Sequence, residues 1–212
     1  MPPSKLEERL PVIDALQLPS EVRALLRPGE AVRDRNGDEH VLPRWFYEVD
    51  SWETALSTPL APHYMLWEFM TIDVREAERF RQRFPRYIPC TVALLAQALE
   101  VFRQAVGTYV HIAANGGYRT PAHRLTRHAS RHCWATAANI YRVGDDWLDT
   151  RETIDKYTAI MREQVPSAWI RPYGPDEGLA DDHLHLDLGY VTRRPTDERL
   201  ENRRPQGTAA AA

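Results

Sequence analysis

Lysine is almost absent from this chain of 212 residues, since all but two of its 27 basic residues are arginine. The two exceptions are Lys5 and Lys156. The 30 acidic residues slightly outnumber the basic ones, which gives a formal net charge of -3. Proteins that bind nucleic acid or anionic membranes carry a clear excess of basic residues. The sequence therefore predicts neither of these as a partner.

Targeting signals and long apolar runs are also lacking. The segment Met1 to Pro19 has no charged start followed by an apolar run and a small-residue cleavage site. No stretch approaches the roughly 20 apolar residues that a membrane span requires. We expect a cytoplasmic protein, or one exported by a route that needs no signal peptide. The only cysteines are Cys90 and Cys133, and a disulfide between them, although possible, is not expected in a reducing compartment.

Three segments differ in composition. Residues 1–60 contain two short helical patterns, an Asn36-Gly37 turn and an aromatic cluster of Trp45, Phe46, Tyr47 and Trp52. We predict that this cluster packs onto the main domain, with a role beside a binding groove as the alternative. The chain beyond residue 194 is charged and ends in four alanines, so we expect residues 195–212 to be a disordered tail. We interpret 1–60 as an N-terminal extension and 61–194 as the main domain.

Helices and short strands follow each other without regular alternation, which favours an α+β fold over a doubly wound α/β fold. Apolar spacing predicts three helices, at Val74–Phe84, Pro89–Val106 and Thr150–Val165, the last with Thr150 as N-cap. Strands are predicted at Tyr109–Ala113, Asn139–Val143, Trp169–Tyr173 and His183–Tyr190.

Histidines cluster in two places, and the second is the strand predicted over His183–Tyr190. On a strand, His183, His185 and Asp187 would share one face, while the intervening leucines would face the core. Imidazole is a common zinc ligand, so this face could form part of a metal site. The pattern alone is equally typical of polar residues on the solvent face of a half-buried strand.

Three motifs together make the chain resemble the zinc D-alanyl-D-alanine carboxypeptidase family. That family carries Ser-x-His-x-x-Gly-x-Ala-x-Asp, preceded by Gly-Tyr-Arg-Ser/Thr-Pro and followed by His-x-His. Here the corresponding stretches are Ser130–Asn139, Gly117–Pro121 and His183–His185, in the same order and at matching spacing. The resemblance runs from about His63 to Arg194. It implies a small antiparallel sheet with flanking helices, one zinc ion and a peptidoglycan peptide as substrate.

The resemblance also implies roles for individual residues. The metal ligands would be His132, Asn139 and His185. Asp182 would accept a proton during catalysis, His183 would help to hold the oxyanion, and Arg119 would bind substrate. Asp187 is the candidate carboxylate partner of the metal-bound His185.

Two departures from the family pattern lie in its second motif: Asn139 stands where the family has Asp, and Ala135 stands where it has Gly. An amide oxygen is neutral, so we expect weaker zinc binding. Two functions therefore remain open, a zinc peptidase with a weakened site and a catalytically inactive binding or structural module. A phage-encoded or injected lysin would explain a wall-directed domain without a signal peptide.

Overall fold

Short elements fill the first ninety residues of the protein. The computed structural model describes residues 6–75, 84–176 and 179–195. Single-turn 3-10 helices at Ala15–Gln17 and Leu66–Phe69 join longer elements in this part. In chain order these elements are α1 (Leu6–Arg9), β1 (Val12–Asp14), α2 (Ser20–Leu26), β2 (Ala31–Arg33), β3 (Glu39–Val41), β4 (Trp45–Val49), α3 (Trp52–Ser57), β5 (Pro59–Ala61), β6 (Tyr64–Met65) and β7 (Arg86–Pro89).

A three-stranded antiparallel sheet, in the order β1-β4-β7, ties the N-terminal residues to the rest of the molecule. Within it, Phe46 pairs with Ile13 on one side and with Pro89 on the other. Strands β2 and β3 form a hairpin around the predicted Asn36-Gly37 turn, where Gly37 has a φ of 90°. A second hairpin joins β5 to β6.

The remaining elements form the second half of the chain. A single 3-10 turn, Arg131–Trp134, precedes the longest strand. The other elements are α4 (Val92–Val106), β8 (Val110–Ile112), β9 (Ala137–Val143), β10 (Asp146–Trp147), α5 (Arg151–Gln164), β11 (Trp169–Ile170) and β12 (Leu184–Asp187).

Strand β9 is the centre of a five-stranded antiparallel sheet. It pairs with β12 along its first half and with β8 and β10 along its second half, and β12 pairs in turn with β11. Antiparallel sheets combined with separate helices define an α+β architecture, so the predicted fold class is confirmed. Among the described residues, no helix is long and apolar enough to cross a membrane.

The two long helices agree with the sequence patterns except at one end. Helix α5 begins after Thr150, whose side chain accepts a hydrogen bond from the Thr153 amide, as expected of an N-cap. Helix α4 ends before Gly107, which adopts the left-handed conformation with a φ of 65°. The predicted start of this helix at Pro89 is wrong, because Pro89 belongs to β7 and α4 begins at Val92.

Three of the predicted strands are shorter in the structure, whereas the strand predicted over Asn139–Val143 is longer and begins at Ala137. The strand predicted over Tyr109–Ala113 spans Val110–Ile112. The strand predicted over His183–Tyr190 spans Leu184–Asp187, and the one predicted over Trp169–Tyr173 spans Trp169–Ile170. Strand β12 is buried on both faces, so the alternative of a half-buried strand with a solvent face is wrong. The helix predicted at Val74–Phe84 falls largely on residues 76–83, outside the described residues, as does nearly all of the predicted tail.

One hydrophobic core runs across the predicted boundary at residue 60. Leu10, Phe46 and Tyr47 from the N-terminal segment belong to the same buried cluster as Leu99 of α4 and Leu186 of β12. Phe46 and Tyr47 are almost completely buried, so the aromatic cluster packs largely inward as predicted, although Trp52 remains partly exposed. The N-terminal segment therefore packs as part of the domain that carries the motifs.

Candidate functional site

Asn139 and His185 lie opposite each other on neighbouring strands, β9 and β12. Directly opposed residues of an antiparallel pair project from the same face of the sheet. The side chains meet there, with Nδ1 of His185 2.7 Å from Oδ1 of Asn139. On its other side, Nε2 of His185 lies 3.4 Å from Oδ2 of the buried Asp187. The imidazole is thus held between an amide and a carboxylate.

His132 reaches the same place from the 3-10 turn just before β9. Its ring centroid lies 5.2 Å from that of His185, with the two planes at 64°. Nδ1 of His132 is 2.8 Å from the carbonyl oxygen of Gly117, which can only accept, so Nδ1 carries the proton. Burial holds the pKa of His132 well below its usual range. The ring is therefore neutral, and its buried Nε2 presents a lone pair that has no hydrogen-bond partner among the described residues.

The protons around His185 allow three arrangements. In the first, Nδ1–H donates to Oδ1 of Asn139, and no metal ion is needed. Burial lowers the pKa of His185 to about 4, so a neutral ring with one N–H faces two oxygens. If Nε2–H donates to Asp187, the Nδ1 lone pair points at Asn139. A cation shared by Nδ1 and Oδ1 would satisfy both atoms. Alternatively, the Asn139 amide is rotated so that its N–H₂ donates to Nδ1, since amide oxygen and nitrogen are assigned from hydrogen-bond networks rather than from shape.

The possible ligand atoms of this cluster suit a zinc ion, although the neutral oxygen of Asn139 is a weak ligand. Catalytic zinc sites take three protein ligands and leave one position open. Here His132 and His185 each offer an imidazole nitrogen, whereas Asn139 offers a neutral oxygen. Within residues 6–75, 84–176 and 179–195, no group of three or more His, Cys, Asp or Glu is placed to hold a metal.

Asp182 and His183 form a hydrogen-bonded pair immediately before β12. Nδ1 of His183 lies 2.5 Å from Oδ1 of Asp182, whose side chain is 80% exposed. Burial lowers the pKa of His183, although Asp182 opposes this shift. A neutral His183 that donates Nδ1–H to Asp182 keeps a lone pair on Nε2, and this buried atom has no other partner in the described structure. Such a ring can accept a proton, whereas holding an oxyanion would require a second proton on it.

Two arginines approach the histidines, and the sequence motifs revealed only one of them. The predicted Arg119 follows the Gly-Tyr step, and its backbone N–H lies 3.3 Å from the carbonyl oxygen of His132. Burial lowers the pKa of Arg119 to about 10, and the nearby charge of Arg171 acts in the same direction. Arg171 follows β11, and its backbone N–H donates to the carbonyl of His185. Only the pairing of β11 with β12 places it beside the site, so no sequence motif could have identified it.

The backbone carbonyls of Gly116 and Gly117 position the candidate ligands. The carbonyl of Gly116 accepts the backbone N–H of Asn139 at 2.8 Å, and the carbonyl of Gly117 accepts Nδ1–H of His132. A β-carbon at Gly117 would lie 2.4 Å from the Phe69 carbonyl oxygen, and one at Gly116 would lie 2.7 Å from that of Ala113. Both positions therefore exclude a side chain.

Gly117→Ala is expected to destabilise the fold by at least about 1–3 kcal/mol, because the new methyl group meets rigid backbone. The free energy of unfolding from urea denaturation measures this. Gly29→Ala is the matched control, since its β-carbon would enter open space and only the positive φ of 74° would be strained. Equal losses in the two variants would contradict a steric role for Gly117.

Ala135, which stands where the family motif has Gly, adopts the left-handed conformation. Its φ is 53° and its ψ 36°, and it lies between the His132 turn and β9. A β-carbon in this region costs about 1–2 kcal/mol relative to right-handed backbone. The family glycine would carry no such strain, so the second departure in the motif also has a physical cost.

The two cysteines do not form a disulfide. Cys90 and Cys133 are both buried free thiols, and burial raises the pKa of Cys133 to about 11.

No family model, curated protein or solved structure matches the chain. The likeness to zinc D-alanyl-D-alanine carboxypeptidases therefore rests on the three motifs and on the convergence of His132, Asn139 and His185.

Proposed function

We propose that this chain is a zinc-dependent peptidase of the D-alanyl-D-alanine carboxypeptidase type, acting on peptidoglycan peptides. The observation that carries the proposal is the convergence of the possible donor atoms of His132, Asn139 and His185. Nε2 of His132 is buried with no hydrogen-bond partner among the described residues, and Nδ1 of His185 lies 2.7 Å from Oδ1 of Asn139. Buried polar atoms without a partner are rare in folded proteins, and a bound ion or water is one explanation for them.

His132, Asn139 and His185 would hold the zinc ion in this proposal. Asp187 would fix the ring of His185 by accepting its Nε2–H, as carboxylates commonly do behind a metal-bound histidine. When bound, zinc supplies a water molecule whose pKa falls from about 15.7 towards about 7. These residues would thus position the zinc ion, which in turn polarises the water molecule.

Proton transfer falls to the pair of Asp182 and His183. The resemblance assigns the proton to Asp182 and the oxyanion to His183. The hydrogen bond between them supports a shared role, in which Asp182 holds Nδ1–H and Nε2 of His183 takes the proton from the attacking water. Arg119 would bind a carboxylate or carbonyl oxygen of the substrate through its guanidinium group.

A non-catalytic binding module is the second candidate, and Asn139 favours it. Unlike an aspartate, an asparagine can donate its N–H₂ to Nδ1 of His185. The cluster would then be closed by hydrogen bonds with no metal ion. In that case the site would keep its arginines while lacking the polarised water.

A hydrolysis assay separates the two candidates. The substrate is an acetylated tripeptide that ends in D-Ala-D-Ala, and the measured product is free D-alanine. We expect slow release that requires added zinc, stops after chelation and returns when zinc is restored. The all-L peptide is the control and should not be cleaved. Release that persists after chelation would contradict a metal mechanism, and no release at saturating zinc would favour the binding module.

A further inference from the structure

Four aromatic rings form a row at the end of the sheet where β8, β9 and β10 meet. The ring centroid of His111 lies 6.2 Å from that of Tyr109 and 5.8 Å from that of Tyr141. The Trp147 ring follows, 5.4 Å from Tyr141. Tyr109 is 69% exposed and Trp147 55% exposed. Contiguous exposed groups of this kind, unlike single exposed side chains, mark interaction or ligand-binding sites.

The aromatic row lies on the same face of β9 as the candidate metal ligand Asn139. Strands β8 and β9 pair with a shift in register, in which Tyr141 is the extra residue of β9. Tyr141 stands two residues beyond Asn139, and Ile140 between them is fully buried on the opposite face. Because a strand rises about 3.3 Å per residue, the row begins about 7 Å from Asn139.

A cleft of about 550 Å³ opens beside the aromatic row, within the range of roughly 300–1,000 Å³ that is usual for small-ligand sites. Its lining includes Tyr109 and His111 together with the charged side chains of Arg142 and Asp145. Arg142 is the cross-strand partner of both His111 and Trp147, and its guanidinium carbon lies 5.5 Å from the Trp147 ring centroid. The cleft thus combines ring faces with charged groups.

The charged groups of the cleft offer one free donor and one free acceptor. Nη2 of Arg142 donates to Nε2 of His111 at 3.1 Å, since a guanidinium can only donate. Nε of Arg142 is buried without a hydrogen-bond partner, and the side chain makes no ion pair with the residues that the structure describes. The exposed carboxylate of Asp145 has no partner there either. Asp146, by contrast, is paired with Lys156 at 2.8 Å, so the free charges of the cleft balance.

We propose that this cleft and the aromatic row bind a neutral glycan through its sugar rings. A sugar ring has an apolar face of C–H groups that stacks on an aromatic ring, and each of its hydroxyl groups can both donate and accept a hydrogen bond. Arg142 and Asp145 supply the complementary donor and acceptor. Nucleic-acid bases would also stack on the row, but their phosphates would be repelled by the carboxylates of Asp145 and Asp146.

The proposed function supplies a source for this glycan, and this part of the inference rests on it. The peptides of peptidoglycan are attached to glycan strands of amino sugars. A peptide of three or four residues spans at most roughly 10–14 Å when extended. The row begins about 7 Å from Asn139, and the Trp147 ring lies 5.4 Å beyond that of Tyr141. The glycan can therefore lie on the row while the end of its peptide reaches the metal site.

Calorimetric titration of the full chain with two stacking ligands tests the sugar site. We expect chitotriose, the neutral trimer of N-acetylglucosamine, to bind. A trinucleotide of uridylate should bind at least about 10-fold more weakly, because its phosphates meet the carboxylates of the cleft. No binding of chitotriose, or a trinucleotide that binds as tightly as chitotriose, would overturn the proposal. This comparison uses the natural protein and needs no variant.

Trp147→Ala should weaken chitotriose binding by at least about 10-fold, because it removes an exposed stacking face. Tyr109→Ala is a second variant and should also weaken binding, and both side chains are more than half exposed, so their loss leaves the core intact. Trp67→Ala, an exposed aromatic outside the row, is the control and should leave the affinity unchanged. Full affinity in both Trp147→Ala and Tyr109→Ala would overturn the site.

Peptides with and without a sugar separate this proposal from the proposed function. If both hold, kcat/KM is about 10-fold higher for a peptide attached to its disaccharide than for the free peptide, and Trp147→Ala removes this preference. Chitotriose binding without any hydrolysis would remove the peptidase and leave the sugar site. Zinc-dependent hydrolysis without chitotriose binding would leave the peptidase and remove the sugar site. Equal kcat/KM for the two peptides in an active protein would overturn the placement of the glycan.

Discussion

Asn139→Asp is expected to tighten zinc binding by at least about 10- to 100-fold and to raise D,D-peptidase activity. Changes behind a ligating residue already cost about this much in metal affinity, and a direct donor should matter at least as much. The carboxylate would add a negative charge to a cluster in which His132 and His185 are neutral. It would also remove the amide N–H₂ that can close the cluster without metal. Competition with a zinc indicator measures the affinity.

Asn139→Leu is the matched control, because it keeps a similar volume and removes the oxygen donor. We expect this variant to bind less zinc than the natural chain and to show no zinc-dependent hydrolysis. If Asn139→Asp neither improves zinc affinity nor yields hydrolysis, the catalytic proposal loses its main support and the binding module becomes the better account. If the natural protein already binds zinc as tightly as Asn139→Asp, an amide is an adequate ligand here.

Asp182→Ala, which removes the carboxylate, is expected to lower kcat by about 10²–10⁴-fold, the usual contribution of a general acid–base group. Zinc affinity should stay unchanged, because Asp182 is not among the proposed ligands. The assay is best made in the Asn139→Asp protein, where turnover should be easiest to measure. Asp181→Ala is the control, since Asp181 is an exposed neighbour and should leave kcat unchanged.

Asp182→Asn tests whether Asp182 or His183 accepts the proton. Its amide oxygen can still accept Nδ1–H of His183, but the group cannot take up a proton. If Nε2 of His183 is the base, Asp182→Asn should keep more activity than Asp182→Ala, and His183→Ala should be as inactive as Asp182→Ala. Equal losses in Asp182→Asn and Asp182→Ala, with activity retained in His183→Ala, would assign the proton to Asp182 alone.

Local signals were enough to predict the two long helices, apart from one end, and the α+β class. Thr150 caps α5 and Gly107 ends α4 because capping depends on a few neighbouring residues. The start of α4 was misplaced because Pro89 pairs with Phe46, a contact that no local pattern contains. One of the two interpretations of β12 gave it a solvent-exposed face, but the elements packed around it bury both faces.

Part of the candidate site could also be predicted from the sequence. Motif spacing selected His132, Asn139 and His185, and the structure brings these three side chains together although 46 positions separate Asn139 from His185. The sequence could not reveal Arg171, because the position of this residue depends on strand pairing. Nor could it reveal that the Gly117 carbonyl fixes the protonated nitrogen of His132.

X-ray absorption at the zinc edge of the zinc-loaded natural protein tests the central claim most directly. The account predicts one ion per chain with only nitrogen and oxygen neighbours at about 2.0–2.2 Å, including two imidazoles. It also predicts that His132→Ala and His185→Ala each lose this signal. A sulfur neighbour at about 2.3 Å, or an unchanged spectrum in either variant, would contradict it.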